Sequence, residues 1–191
     1  SHIENLEDQI QKLNKTIQDT VKEGYPEIAW LRSIQGIGEV YSCGIAAEIA
    51  GIDRFLGGMK WDNHKNCLRK RNQRDAEDAL AKMAGLWWPQ NASGGFVAEE
   101  RHMSKKGNAY LRFYIIEAAE HMRQCIPSYI NYYQKKHDEV TKHAHKRALV
   151  LTGRKAIGLF VGLLHRKECY RPEVEISPTH SKKPPLPKIS R

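Results

Sequence analysis

The stretch AGLWWPQNASGGFVAEERHMSKKGNAYLR, Ala84–Arg112, decides how the chain is read. It sets one serine, Ser93, ahead of two glycines and returns through a basic Ser-Lys-Lys-Gly-Asn turn, Ser104–Asn108, that opens an apolar helix. Those are the parts of a phosphate-handling site. Gly94 and Gly95 carry no Cβ, so backbone N–H groups there can approach an anion closely. Lys105 and Lys106 add full charges at the positive end of the following helix, for which Ser104 reads as N-cap. Gly107 and Asn108 are poor helix formers, and their place in the first turn suits close backbone approach. A serine hydroxyl held beside such groups can attack a phosphodiester. Ser-Gly-Gly is also common in ordinary loops, so this pattern alone leaves a linker reading open.

Around this stretch the sequence reads as mainly helical. The helix predicted from Lys105 to Cys125 buries Leu111, Ile115, Ala118, Ala119 and Met122, and Ile126-Pro127-Ser128 stops it and starts another. A last helical region, Thr141 to His165, carries a mostly apolar stripe of Ala144, Ala148, Leu151, Ile157, Phe160, Val161 and Leu164, with a slight shift of period at Gly153 that suits a kink. Its counter-face is basic: Lys142, Lys146, Arg147, Arg154 and Lys155. From Leu86 to Met103 the alternation is weak, and an irregular or β-hairpin loop is expected to carry Ser93. Trp87 and Trp88 can pack beneath that loop or stack on bases.

Upstream, Ile3, Leu6, Ile10, Leu13, Ile17 and Val21 recur at gaps of three and four, a coiled-coil seam over residues 1–23. The same seam would serve an amphipathic helix folded onto its own domain. Residues 24–170 then form one helical domain. Within it, Ile34-Gln35-Gly36-Ile37-Gly38 joins helices Pro26–Ser33 and Glu39–Ala50, and the span 26–50 resembles the helix-hairpin-helix element of DNA-binding proteins. There Gly36 and Gly38 make a tight turn, and the N–H groups of the next helix start grip a phosphate without reading sequence. A purely structural corner would look similar. Residues 57–77 read as an inserted loop and helix with a basic side from Lys65 to Arg74, either a solvated face or a nucleic-acid contact. Residues 171–191 hold five of the eight prolines and no apolar period, and are expected to be a disordered basic tail.

Composition narrows the partners. The chain of 191 residues carries 31 Lys and Arg against 22 Asp and Glu, a net charge of +9, which favours a polyanion. Residues 135–171 alone hold ten Lys or Arg against three Asp or Glu. The longest apolar run, Ile157 to Leu164, is too short to cross a bilayer. Cys43, Cys67, Cys125 and Cys169 form no C-x-x-C pair, and the histidines show no H-E-x-x-H spacing, so reduced thiols and no metal site are expected. A cytoplasmic setting follows.

Ala84-Gly85-Leu86, Pro89, Ser93-Gly94-Gly95 and Met103 through Arg112 resemble the C-terminal domain of the bridge-RNA-guided insertion-sequence transposases, whose N-terminal half is a DEDD nuclease domain. The resemblance spans about Leu31 to His165, and the Ser-Lys-Lys-Gly-Asn-x-x-Leu-Arg signature is its specific part. Residues 57–77 depart from the family pattern. The resemblance implies a prokaryotic transposase and recombinase in which Ser93 becomes joined to DNA through a phosphoserine bond. Its metal, magnesium, would lie on the nuclease domain, with no cofactor in this chain. It implies DNA, a guide RNA and a homo-oligomer assembled through the coiled coil as partners. The candidate nucleic-acid contacts are then Gly36, Gly38, Gly94, Gly95, Ser104, Lys105, Lys106, Gly107, Asn108, Arg112, Arg154 and Lys155. The alternative functions are a non-enzymatic nucleic-acid-binding module and a dimerisation domain.

Overall fold

The computed structural model describes residues 2–22, 24–89, 92–93, 96–97 and 102–172. Its elements in chain order are α1 (His2–Lys22), α2 (Pro26–Arg32), α3 (Glu39–Ile49), α4 (Asp53–Leu56), β1 (Met59–Asp62), β2 (Cys67–Lys70), α5 (Gln73–Ala84), β3 (Ala92–Ser93), β4 (Phe96–Val97), α6 (Ala109–Cys125), α7 (Pro127–Asp138) and α8 (Ala144–Arg166). The fold is mainly α, as the periodicity implies.

α6 and α8 form the centre. The residues α6 buries are Leu111, Ile115, Ala118, Ala119 and Met122, the apolar face expected from their spacing. α8 buries Ala156, Ile157, Phe160, Val161 and Leu164 and packs against α2, α5, α6 and α7. By length and composition it is the one described helix apolar enough to cross a membrane; in the fold that apolarity is spent on its neighbours. α8 runs unbroken through Gly153, whose bare α-carbon lets α6 approach: a Cβ there would meet Ile116 Cδ1 at 3.0 Å. Small residues at helix contacts shorten the interaxial distance, and here glycine serves packing where a kink was expected.

α1 stands apart from this core. Ile3, Leu6, Ile10, Leu13 and Ile17 remain 42 to 69% exposed, so among the described residues the seam read as a coiled coil is largely uncovered, with only Ile17 at its end facing Cys43, Ala46 and Ala47 of α3 across an open hollow. Its polar flank touches the domain where Gln18 donates to Glu39 at 2.9 Å.

The segment expected to be an inserted loop and helix is a β-hairpin followed directly by α5. β1 pairs antiparallel with β2, Lys60 opposite Arg69 and Trp61 opposite Leu68. The reason is Asp75. Asn72 caps α5 by accepting from the Asp75 N–H, and the Asp75 carboxylate accepts in return from the Asn72 N–H, a capping box that fixes the helix start. The same carboxylate accepts from Arg69 at 2.5 and 3.0 Å and from Lys60 at 2.6 Å, so one buried acid holds both strands. Charges read as a basic face from residue 65 onward are therefore partly neutralised. The tail expected at 171–191 lies outside the described residues beyond Pro172.

Hydrogen bonds from Arg69 and Lys60, with the capping N–H of Asn72, hold the Asp75 carboxyl well below the usual carboxylate range. A depressed folded pKa adds stability above the unfolded value, near 3.9, and loses it as pH falls through the folded value. Asp75→Asn is therefore expected to lower the melting temperature at pH 7, with the gap to wild type narrowing below about pH 4. Thermal melts across pH 3 to 8 check this; a gap independent of pH would contradict the ion-pair account.

Candidate nucleic-acid interface

The Ser-Lys-Lys-Gly-Asn turn does not begin a helix at Lys105. α6 begins at Ala109, and its N-cap is Asn108, whose side chain accepts from the Tyr110 and Leu111 N–H groups at 3.0 Å each. The Ser104 hydroxyl, expected as the cap, accepts instead from the Lys106 N–H at 3.4 Å. The cause is backbone shape: Lys105 has φ +56 and Gly107 φ +144, neither of them helical.

What holds the turn is the end of α5. Gly85 closes that helix in the left-handed conformation, φ +71, as a C-cap glycine does. Lys105 N–H then donates to Gly85 O at 3.3 Å, Asn108 N–H to Met83 O at 2.6 Å, and Ser104 N–H to Trp87 O at 2.9 Å. Gly107 lies so close to α5 that a Cβ would overlap Met83 O and stand 2.9 Å from Gly85 N. Arg112 reaches back from the first turn of α6, and its Nη1 donates to Ala84 O and Lys105 O, both at 3.0 Å. Asn108 Nδ2 donates to Glu48 on α3 at 2.5 Å. Together these bonds clasp α5 to α6.

The clasp sorts the expected contact residues. Gly107, Asn108 and Arg112 are structural members of it, with Arg112 half-buried. Lys105 and Lys106 are exposed and form no ion pair with another described residue. Lys105 is pinned at its N–H by Gly85 and at its carbonyl by Arg112, which sustains a left-handed conformation costly for a residue with a Cβ.

Ser93 lies in β3, its backbone paired with Phe96 of β4 and Ala92 with Val97, so a short β ladder carries the serine. Gly94 and Gly95 fall outside the described residues. The Ser104–Trp87 bond closes the base of the loop beside the two lysines. Ser93 lies six positions beyond Trp87, a tether of about 20 Å at full extension.

The other candidates sit elsewhere. Gly36 takes φ +87 with its α-carbon against the His121 backbone of α6, between buried Ile34 and Ile37. Gly38 is the N-cap of α3, where Glu39 already sets a carboxylate at the helix start. Arg154 donates to Asp78 at 2.6 Å. Lys155 donates to Ser128 O at 2.9 Å and lies over the Tyr129 and Tyr132 rings. Burial pushes the Tyr129 phenol above its ordinary pKa, and it stays neutral beside that ammonium. No group of three or more His, Cys, Asp or Glu gathers to hold a metal among the described residues. Sequence reasoning missed the Asp75 cluster, although Asn72-x-x-Asp75 is a legible capping box. It also missed Glu48, whose partner is sixty positions away.

A helical domain that presents lysines from a backbone-fixed turn has the features of a module that meets a polyanion. Residues 68–134 match the transposase IS116/IS110/IS902 family, somewhat over a third of the chain. The matched span begins in β2, takes in α5, Ser93, the clasp and α6, and ends in α7; it includes residues 68–77 of the segment read as a departure from the family. The match supports a transposase role and, with it, interaction with DNA. No curated protein matches the chain.

Adding a Cβ at Gly107 tests the clasp. Gly107→Ala is expected to destabilise the fold by about 2–3 kcal/mol, from backbone strain and the overlap with Met83 O. Chemical denaturation of the two proteins measures it; equal stability would show that the turn is free to shift away from α5.

Proposed function

We propose that this chain is the DNA-binding and serine-nucleophile half of an insertion-sequence transposase, working with a DEDD nuclease domain outside these 191 residues. The observation that carries the reading is the family match laid over the clasp: the matched residues include Ser93, and the base of its loop is fixed beside Lys105 and Lys106. In this reading the Ser93 hydroxyl attacks a DNA phosphorus. A new P–O bond to serine forms and the bond from phosphorus to one deoxyribose oxygen breaks, while a base takes the serine proton and that proton is returned to the departing oxygen. One phosphoester replaces another, so no external energy source is needed, and rejoining runs the same exchange in reverse.

A serine hydroxyl is a weak nucleophile near neutral pH and needs a base and charge stabilisation. Lys105 and Lys106 supply charge to the phosphoryl oxygens, and Arg112 positions them through the Lys105 carbonyl. Magnesium, in this proposal, is held by the nuclease domain. A guide RNA, a DNA-associated prokaryotic cytoplasmic setting, and phosphate contact at the 26–50 hairpin complete the proposal. The exposed seam of α1 supports assembly into a homo-oligomer, since a helix of this length must cover its apolar stripe to persist.

Two outcomes are expected. In the protein that also carries the nuclease domain, Ser93→Ala abolishes strand transfer while DNA binding persists; undiminished transfer would remove the nucleophile assignment. Leu13→Glu, placed in the seam, converts the oligomer to monomer by sedimentation equilibrium without changing the melting temperature of the helical domain. An unchanged molecular mass would put the assembly contact elsewhere.

A further inference from the structure

The β1–β2 hairpin has two unlike faces. Antiparallel pairs put directly opposite residues on one side and alternate along the strand. Lys60 and Arg69 share the inner side, where they clamp Asp75, and Asp62 approaches Arg69 at 3.4 Å there. The outer side carries Met59, Trp61, Leu68 and Lys70. Its three apolar side chains are 52, 51 and 61% exposed, unusual for neighbouring large residues that could have turned inward.

The surroundings of that face are cationic. Lys65 lies at the tip, where its N–H donates to Asp62 at 3.2 Å, and Arg71 and Arg74 follow β2; these two arginines, with Lys70, are exposed and form no ion pair with a described acid. The acids between residues 57 and 75, Asp62 and Asp75, are both engaged on the inner side. A hollow of about 370 Å³ opens at the hairpin base between Gly57, Gly58, Met59, Lys70 and Arg71. The Asp75 clamp makes the platform rigid, so little ordering is needed before a ligand binds.

We propose that this outer face binds single-stranded DNA, with a base stacked on Trp61, flanked by Met59 and Leu68, and the neighbouring phosphates held by Lys70 and Arg71. A plain apolar partner surface would leave the cationic rim unused. Duplex DNA keeps its base faces stacked on one another, so an exposed indole selects unpaired nucleotides. The inference rests on the reading that the chain handles DNA, and adds a second contact surface distinct from the serine loop.

The test uses the 191-residue chain and fluorescently labelled oligo-dT of about twenty nucleotides, titrated by anisotropy at several salt concentrations. Trp61→Ala is expected to weaken binding about tenfold with the salt slope unchanged, and Trp61→Phe to retain most of the affinity. Replacing Lys70 and Arg71 together by alanine reduces the slope of log affinity against log salt by about 1.4, the value for two single-strand phosphate contacts. Melting temperatures stay at the wild-type value, because the substituted side chains lie outside the Asp75 clamp. Wild-type affinity in Trp61→Ala overturns the proposal alone, as does an equal loss on duplex DNA or tighter wild-type binding to oligo-U RNA. A wild-type chain that binds no DNA of any form overturns the DNA-handling reading as well.

Discussion

The clasp between the end of α5 and the start of α6 is the constraint on which the rest depends. One guanidinium nitrogen of Arg112 holds the Ala84 and Lys105 carbonyls, and Gly107 lies where no side chain fits. Charge-assisted hydrogen bonds of this kind are worth about 1.5–3 kcal/mol each, and more is lost when a buried partner is orphaned. The clasp ends one helix, begins the next and closes the base of the loop that carries Ser93. It also fixes Lys105 in a conformation that a free turn would rarely hold. A catalytic or binding loop gains precision when its base belongs to the scaffold.

Charge is distributed with the same logic. Much of the basic excess counted along the chain does not face outward as free charge. Lys60 and Arg69 are drawn onto Asp75, Arg154 onto Asp78, Arg147 onto Glu139, and Lys155 onto two tyrosine rings. These pairs organise the surface of the bundle. Lys105 and Lys106 at the turn, and Lys70, Arg71 and Arg74 around the hairpin, remain exposed without an ion-pair partner among the described residues. Lys135, Lys142 and Lys146 are likewise exposed with no such partner, so a polyanion would be attracted by the net charge and oriented by where these unpaired cations gather.

Helix periodicity made the core legible. Leu111, Ile115, Ala118, Ala119 and Met122 could be named from spacing because a 3.6-residue repeat maps directly onto one face. The breaks at Gly85 and Ile126-Pro127 were equally readable, since C-cap glycine and first-turn proline act locally. The start of α6 was not. Ser104 is a good N-cap by residue type, but Met83, Gly85 and Trp87 seize the backbone of the turn through tertiary hydrogen bonds and delay the helix to Asn108. The β1–β2 hairpin was missed for a related reason: its strands are only four residues each, too short for a clear alternation, and they are held by a carboxylate that belongs to the next helix. Of the candidate site, the turn and its exposed lysines follow from the residues themselves. The structural employment of Arg112, Arg154 and Lys155 depends on partners far away in sequence.

The most direct measurement of the central claim is a search for the covalent intermediate. On the proposed function, a protein joining this chain to a DEDD nuclease domain would be incubated with transposon-end DNA, denatured, digested and analysed by mass spectrometry. The account predicts a nucleotide adduct on the peptide containing Ser93, absent when that residue is alanine. An adduct on a different side chain, or strand transfer that proceeds with no adduct at all, would contradict it.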